Sequence, residues 1–162
     1  MKQHYRVQLR LTRIEPKGTL YAHTSAGLVL VDARTDNVAD EYDIGNNVDS
    51  DPAIVVSGDK TAVCVTYSRQ SGEYAACAAE VLQVGPGGRW QHLFSHVQEP
   101  KGSLAFQPPP RVRWSGWPTP SVTLKWRQRL RGKWFPSVVQ RIPRTPARGV
   151  RIVSCEVSGD TK

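Results

Sequence analysis

The chain has 162 residues, of which 39% are hydrophobic and 22% are charged, and its formal net charge is +8. This length predicts one domain with a substantial buried core, and the sequence contains no apolar run near the roughly 18 residues that a membrane-spanning helix needs. Residues 1–10 also lack the hydrophobic segment of a secretory signal, so we expect a soluble, intracellular protein with no membrane partner.

The charge is divided unevenly along the chain. Between Glu99 and Glu156 there is no acidic residue, and there are twelve basic ones. Residues 32–59 hold eight acidic residues and one arginine. This asymmetry predicts either an internal match between the two regions or a basic surface that meets an anionic partner.

In chain order, the N-terminal half predicts short strands separated by turns. Residues 3–13 alternate apolar and polar side chains, which is the pattern of a half-buried strand. Further strands are predicted at 19–23, 27–32, 38–44, 53–57, 61–67 and 73–84, although the alanines of the last segment would also suit a helix. The intervening turns are predicted at 15–18, 33–37, 45–52, 58–60 and 68–72.

Gly85-Pro-Gly-Gly88 is the clearest break in the chain. It separates an acidic region, 1–84, from a basic region rich in Trp and Pro, 89–157, and we expect the two to pack as one domain. Strands are predicted after the break at 90–94, 111–114, 121–134, 136–142 and 150–155. Three consecutive prolines make 107–110 an extended segment with limited sheet pairing, and 158–162 are expected to form a loose tail.

The stretch 121–134 has the strongest pattern in the sequence. Its even positions are mostly apolar and include Trp126 and Trp134, whereas its odd positions carry five cations. Because successive side chains of a strand point to opposite faces, a strand here would bury one face and present positive charge on the other. Gly132 lowers helix propensity and marks a possible turn. This pattern places both tryptophans away from the cations.

Strand follows strand at short intervals with no long amphipathic helix, so the sequence predicts an all-β fold. We expect an antiparallel meander that forms a small sandwich or barrel, or propeller-like blades. Turn residues at fixed offsets in 19–67 support the last alternative. They occur in Leu20-Tyr-Ala, Gly27-Leu-Val-Leu-Val-Asp-Ala-Arg-Thr-Asp-Asn-Val38, Gly45 and Asp51-Pro-Ala-Ile-Val-Val-Ser-Gly-Asp-Lys-Thr-Ala-Val-Cys-Val-Thr-Tyr67. This stretch resembles a blade of the β-propellers with YVTN or quinoprotein-type repeats, and the resemblance implies four-stranded blades.

The basic region 111–151, which carries four tryptophans, is the leading candidate for a binding site. Arg and Lys neutralise phosphates, and Trp and Arg planes can stack on unpaired bases. We therefore predict a non-enzymatic binding protein whose basic sheet face contacts a polyanion, with nucleic acid as the favoured ligand. The predicted contact residues are Lys125, Arg127, Arg129, Arg131, Lys133, Arg111 and Arg113.

Three alternatives to nucleic-acid binding stay open. The same face could dock an acidic protein or belong to a larger assembly, or the tryptophans could serve a carbohydrate-binding or glycosidase-like module. The cations could also be solvated or paired with the acids of 32–59.

Catalysis and cofactor binding have little support. The sequence has no Gly-x-Ser-x-Gly, phosphate-binding glycine loop or His-Glu-x-x-His motif, so we predict no catalytic residue, metal ligand or cofactor. The acidic loop 43–51 lacks the spacing of a calcium loop. Cys64, Cys77 and Cys155 form no Cys-x-x-Cys pair. They are predicted to be reduced thiols, with a Cys64–Cys77 bridge as the alternative.

Overall fold

The computed structural model describes residues 2–14, 23–45, 48, 52–71, 74–101 and 105–160. Every regular element within those residues is a β-strand, so the all-β prediction is confirmed. The first seven strands are β1 (Gln3–Ile14), β2 (His23–Asp32), β3 (Val38–Gly45), β4 (Ala53–Val56), β5 (Ala62–Ser71), β6 (Tyr74–Val84) and β7 (Trp90–Gln98). The others are β8 (Ala105–Phe106), β9 (Arg111–Ser115), β10 (Ser121–Trp126), β11 (Arg129–Leu130), β12 (Lys133–Trp134), β13 (Val138–Pro143) and β14 (Val150–Asp160).

Two four-stranded sheets contain most of the N-terminal half. The first sheet has the order β14-β1-β2-β3, and the central sheet has the order β4-β5-β6-β7. Among the described strands, β1 and β14 are the one parallel pair, and no sheet closes into a barrel. The strands of the blade-like stretch are divided between the two sheets, with β2 and β3 in the first and β4 and β5 in the central one.

The remaining six strands form three long, bent strands that we call the long meander. Its first strand is β8 followed by β9, its middle strand is β10 followed by β11, and its third strand is β12 followed by β13. The middle strand pairs antiparallel with both neighbours in each of its two parts, β10 and β11, but not at 127–128 between them. The long meander is therefore one surface three strands wide, with a bend between its two halves.

The central sheet lies between the other two layers, and its inner strands β5 and β6 are buried on both faces. One face packs on the first sheet through a cluster that includes Tyr5, Val7, Leu9, Leu28, Val63, Val65 and Leu82. The other face packs on the long meander through a cluster that includes Cys64, Cys77, Ala79, Val81, Val122, Leu124 and Trp126. Because neither face meets water, β5 and β6 need apolar residues at consecutive positions rather than at alternate ones.

Several sequence predictions are confirmed at the level of strands and turns. In β1 the side chains of Val7 and Leu9 are buried while Arg10 is exposed, as the alternation predicted. The alanine-rich segment is extended, as β6 (Tyr74–Val84), and the Gly-rich break 85–88 is a turn with positive φ at Gly87 and Gly88. The prediction of turns at 15–18 and across most of 45–52 lies outside the described residues.

Several strand boundaries differ from prediction, and in three places a strand continues where a gap, a turn or a tail was expected. Strand β2 runs unbroken across 24–26, the gap expected between the predicted strands 19–23 and 27–32, and Ala26 there pairs with Leu11. Strand β5 continues to Ser71 through the turn predicted at 68–72, because its polar residues pair with β6. Strand β14 continues to Asp160, because 158–160 pair with β1, so these residues do not belong to a loose tail; 161–162 lie outside the described residues. In each case pairing with a neighbouring strand outweighs the local preference for a turn.

Candidate polyanion-binding face

The first half of the predicted basic strand folds as the alternation predicted. The side chains of Val122, Leu124 and Trp126 are buried against the central sheet. Trp126 is 1% exposed, and its indole Nε1 donates a hydrogen bond of 2.6 Å to Oε1 of Gln140. The prediction that Trp126 belongs to the core is therefore confirmed.

Cations occupy the outer face of this half of the long meander. Lys125 lies directly opposite Arg111 on the neighbouring strand, and Thr123 lies between Arg113 and Arg141. All four cations are exposed. Like charges directly opposite each other destabilise a sheet, so this arrangement has a cost that an anionic ligand would remove. Arg141 was absent from the predicted contact residues, because its strand carried no alternation of charge.

A bend separates this half from the next one. From Lys125 to Arg129 the middle strand advances four residues, whereas the first strand covers five between their partners Arg111 and Phe106. The extra residue falls in the segment that contains the three prolines, which cannot donate ladder hydrogen bonds. The predicted strand 121–134 is interrupted at 127–128, and the possible turn near Gly132 is formed, between β11 and β12.

Two buried glutamine side chains add hydrogen bonds at the bend, where the backbone N–H of Phe135 also donates to the carbonyl oxygen of Gln128 at 2.8 Å. Gln107 Nε2 donates to the carbonyl oxygens of Pro108, at 2.9 Å, and Arg127, at 3.2 Å. Gln128 Nε2 donates to the carbonyl oxygen of Glu99 at 2.8 Å, and its Oε1 accepts from the backbone N–H of Lys101 at 3.1 Å. Because Trp126 and Gln128 are both buried, Arg127 and Arg129 continue the outward positions of Lys125.

The turn between β11 and β12 changes which residues share a face. Arg131 and Gly132 both have positive φ, 51° and 82°, as a two-residue type I′ hairpin turn requires. Arg129 then pairs with Trp134, and Leu130 with Lys133. Directly opposed residues project on the same side of a sheet. Trp134 therefore lies on the cationic face, and its predicted position away from the cations is wrong.

The result is a cluster of cations and exposed aromatic rings that we call the aromatic platform: Phe106, Arg129, Trp134 and Arg127. Phe106 and Trp134 flank Arg129 on the two neighbouring strands, and they are 55% and 47% exposed. The Arg129 guanidinium carbon lies 5.8 Å from the Phe106 ring centroid and 5.5 Å from that of Trp134. The Arg127 guanidinium carbon lies 4.4 Å from the Trp134 centroid, within the range of a cation–π contact.

The seven predicted contact residues are not paired with acids in the part of the chain that the structure describes. The ion pairs there join Arg6 to Asp36, His92 to Glu80 and Arg144 to Asp59. Among the described residues, the internal match between the basic region and the acids of 32–59 therefore involves Arg144 and not the predicted face. In addition, Nε of Arg127 is shielded from solvent and has no hydrogen-bond acceptor among the described residues.

The structure divides the seven predicted residues into three groups. Arg111, Arg113 and Lys125 share the outer face of the first half of the meander, and Arg127 and Arg129 continue it into the aromatic platform. Arg131 lies in the hairpin turn, and Lys133 shares a face with Leu130. Phe106 was missed because nothing in its sequence surroundings predicts which strand it faces.

The other tryptophans and the histidines have different environments. Trp114 is half-buried beneath the Arg144 guanidinium, whereas Trp117 is 84% exposed in the loop between β9 and β10. Histidine His96 packs edge-on against Trp126 at 5.3 Å, and His92 stacks on Tyr42 at 5.4 Å. The described residues contain no group of side chains arranged to hold a metal ion, and no helix among them is long and apolar enough to cross a membrane.

All three cysteines are free thiols, and the alternative Cys64–Cys77 bridge is not formed. Burial raises the pKa of Cys64 to about 12. Burial, with the nearby charge of Glu156, raises the pKa of Cys155 to about 11. Thiols with such high pKa values are weak nucleophiles near neutral pH.

The fold and this surface define the molecule as an all-β protein with a continuous cationic face that ends in exposed aromatic rings. Comparison with known proteins gives no closer assignment: no protein-family model, no curated protein and no solved structure matches the chain. The resemblance of residues 19–67 to propeller blades stays a prediction.

Proposed function

We propose that the outer face of the long meander binds a polyanion and that this polyanion is nucleic acid. The observation that carries the proposal is the row of outward cations along the middle strand and its neighbours, none of which is in an ion pair among the described residues. Phosphate groups bound there would neutralise charges that otherwise repel one another, and counterions would be released.

The exposed rings of the aromatic platform favour nucleic acid over an acidic protein. Aromatic side chains and arginine planes stack on bases and add affinity that simple charge neutralisation does not supply. Contacts from Arg and Lys to phosphates set affinity without reading sequence. The proposed activity is therefore binding with little sequence preference.

The test is binding of the full chain to labelled random-sequence oligonucleotides over a series of salt concentrations. We expect the logarithm of the association constant to fall linearly with the logarithm of the salt concentration. A slope near zero, or an absence of binding at low salt, would reject the proposal. Binding to acidic polypeptides or glycans in parallel assays would then support one of the alternative classes.

A charge-reversed variant tests whether the binding site lies on this face. Changing Arg127, Arg129 and Arg131 to Glu should abolish binding and leave the β-sheet circular dichroism unchanged. The matched control changes three exposed cations elsewhere, Lys2, Arg34 and Arg89, to Glu and so alters the net charge equally. If the control loses as much affinity as the first variant, net charge rather than this face drives binding.

A further inference from the structure

The geometry points to single-stranded nucleic acid as the ligand of this face, with Phe106 and Trp134 as the rings on which unpaired bases stack. This inference rests on the proposed function and narrows it to one class of ligand. It follows from three features of the described residues: the exposure of the two rings, the width of the surface and the spacing of its cations.

The two rings are available to bases from solvent. Phe106 and Trp134 are 55% and 47% exposed and lie on either side of Arg129, on strands adjacent to it. Neighbouring strands are separated by about 4.8 Å, so the two ring-bearing strands lie about 10 Å apart. In a duplex both faces of each internal base are covered by its neighbours, so exposed rings gain stacking only from unpaired bases.

The surface is too wide to enter a groove of duplex DNA. The major groove is about 12 Å wide and admits a helix or a two-stranded ribbon. The β11–β12 hairpin is such a ribbon, but β8 pairs with it out to Leu130, which lies opposite Ala105. Three strands with their side chains exceed the width of the groove. Duplex could therefore meet this surface only through its outer phosphates.

The outward cations are spaced like the backbone of an extended single strand. Across the bend, Lys125, Arg127 and Arg129 occupy every second position, and extended backbone separates such positions by about 7 Å. This separation is comparable to that between successive phosphates of an extended single strand. Arg111, Arg113 and Arg141 widen the track on both sides of β10. A site of this length would hold a short segment, on the order of four nucleotides.

The experiment compares equally long, labelled single-stranded and duplex oligonucleotides for binding to the full chain. We expect at least tenfold tighter binding of the single strand at the same salt concentration. The double variant Phe106→Ala, Trp134→Ala should lose roughly tenfold or more in single-strand affinity, and its weaker duplex binding and salt slope should change little. The variant Phe106→Tyr, Trp134→Phe keeps two stacking rings and should retain most of the affinity.

Trp117→Ala is the matched control, because Trp117 is 84% exposed but lies in the loop at the far end of the β9–β10 pair. It should leave single-strand affinity unchanged, and a loss equal to that of the double variant would overturn the assignment to the aromatic platform. Duplex affinity equal to or above that of the single strand would also overturn the inference.

The failure of this inference can be told apart from failure of the proposed function. In one outcome, the triple variant of Arg127, Arg129 and Arg131 to Glu loses salt-dependent binding while the aromatic variants keep their single-strand affinity. That result would support the cationic face as the binding site and reject the assignment to single-stranded nucleic acid. If no oligonucleotide binds with a salt dependence, both fall. Circular dichroism of each variant separates lost contacts from lost folding.

Discussion

Arg129 and Trp134 lie directly opposite each other across the β11–β12 pair, with the guanidinium carbon 5.5 Å from the ring centroid. The two residues are five positions apart, so a single unbroken strand would place them on opposite faces. The hairpin turn at Arg131 and Gly132 reverses the chain and brings them to the same face. Because of that reversal, Trp134, which was expected in the core, belongs to the aromatic platform.

The turn itself is testable through Gly132. Its φ is +82°, and a Cβ placed there would meet no atom within 4 Å, so substitution strains the backbone and nothing else. We expect Gly132→Ala to lower the free energy of unfolding by about 1 kcal/mol and to weaken oligonucleotide binding, because Arg129 and Trp134 lose their alignment.

The control for this prediction is Gly116→Ala. Gly116 is also surrounded by open space but has no positive φ, so its substitution should change stability by only a few tenths of a kcal/mol. Urea denaturation of the two variants, together with oligonucleotide titrations, checks the prediction. Equal stability of Gly132→Ala and the native chain would contradict it.

Strands that have one face in water were predictable from sequence. In β1 and β10 each buried apolar residue is followed by a polar or charged one, and this period of two is a direct consequence of the pleat. The predicted break at 85–88 was confirmed for a similar reason, since Gly87 and Gly88 adopt positive φ in the turn. In both cases the structure is determined by residues that are close together in the sequence.

The parts of the fold and of the candidate site that were not predicted depend on pairing between distant segments, which local sequence patterns do not encode. The parallel contact of β1 with β14 joins residues nearly 150 positions apart. The burial of both faces of β6 follows from layers contributed by other parts of the chain. Likewise, Phe106 joins the candidate site only because β8 pairs with β11. The sequence identified the cations of the site but could not predict which aromatic rings accompany them.

The buried thiols give a prediction on reactivity. Burial raises the pKa values of all three cysteines, to about 12 for Cys64 and about 11 for Cys155. At pH 8 the folded protein should therefore react with a thiol reagent far more slowly than a free cysteine does, because the thiolate is the reactive form. After unfolding in guanidinium chloride all three should react quickly. A fast-reacting thiol in the folded protein would contradict the described burial.

The ion pair of Arg144 with Asp59 predicts that the stability of the fold decreases at acidic pH. Arg144 donates to Asp59 Oδ2 and to Thr61 Oγ1, each at 2.7 Å. Burial acts to raise the pKa of Asp59, but hydrogen bonds from Ser57, Arg144 and Thr61 outweigh it and hold that pKa below its ordinary value of 3.8. The ionised form is thus favoured by folding. Its stabilisation is present above the ordinary pKa and is lost as the pH falls through the lowered one.

Asp59→Asn should accordingly lower the free energy of unfolding at pH 7 by about 1 kcal/mol, a modest figure because the Asp59 side chain is partly exposed. The difference from the native chain should shrink as the pH falls below about 4. Glu41→Gln, at an exposed acid outside the ion pairs described above, should show neither effect. Denaturation curves recorded from pH 3 to pH 8 provide the measurement, and a constant difference across that range would contradict the assignment.

A buried carboxylate at the junction of the first and central sheets gives the last prediction. Glu80 is 6% exposed. Its Oε1 accepts from the Tyr42 hydroxyl at 2.6 Å, and its Oε2 accepts from the Tyr67 hydroxyl at 3.3 Å. His92 Nε2 lies 3.8 Å from Oε1. Because a buried carboxylate without donors is costly, these contacts hold β3 against β6.

Burial, followed by the charge of Glu80, raises the pKa of Tyr67 to about 12, and burial with the hydrogen bond to Glu80 raises that of Tyr42 further above 10. Folding therefore favours the protonated phenols. Their stabilisation is complete below pH 10 and is lost as the pH rises through about 12. We expect an alkaline unfolding transition in which Tyr42 and Tyr67 ionise last, followed by ultraviolet absorbance of the phenolates.

The variant Tyr42→Phe should remove the shorter hydrogen bond and lower the free energy of unfolding by about 1–3 kcal/mol at pH 7, since Glu80 is left with fewer donors. The double variant Tyr42→Phe, Glu80→Gln removes the underpaired charge and should recover part of that loss. Additive losses in this pair, measured by urea denaturation at pH 7, would show that the tyrosine and the carboxylate do not interact and would contradict the network.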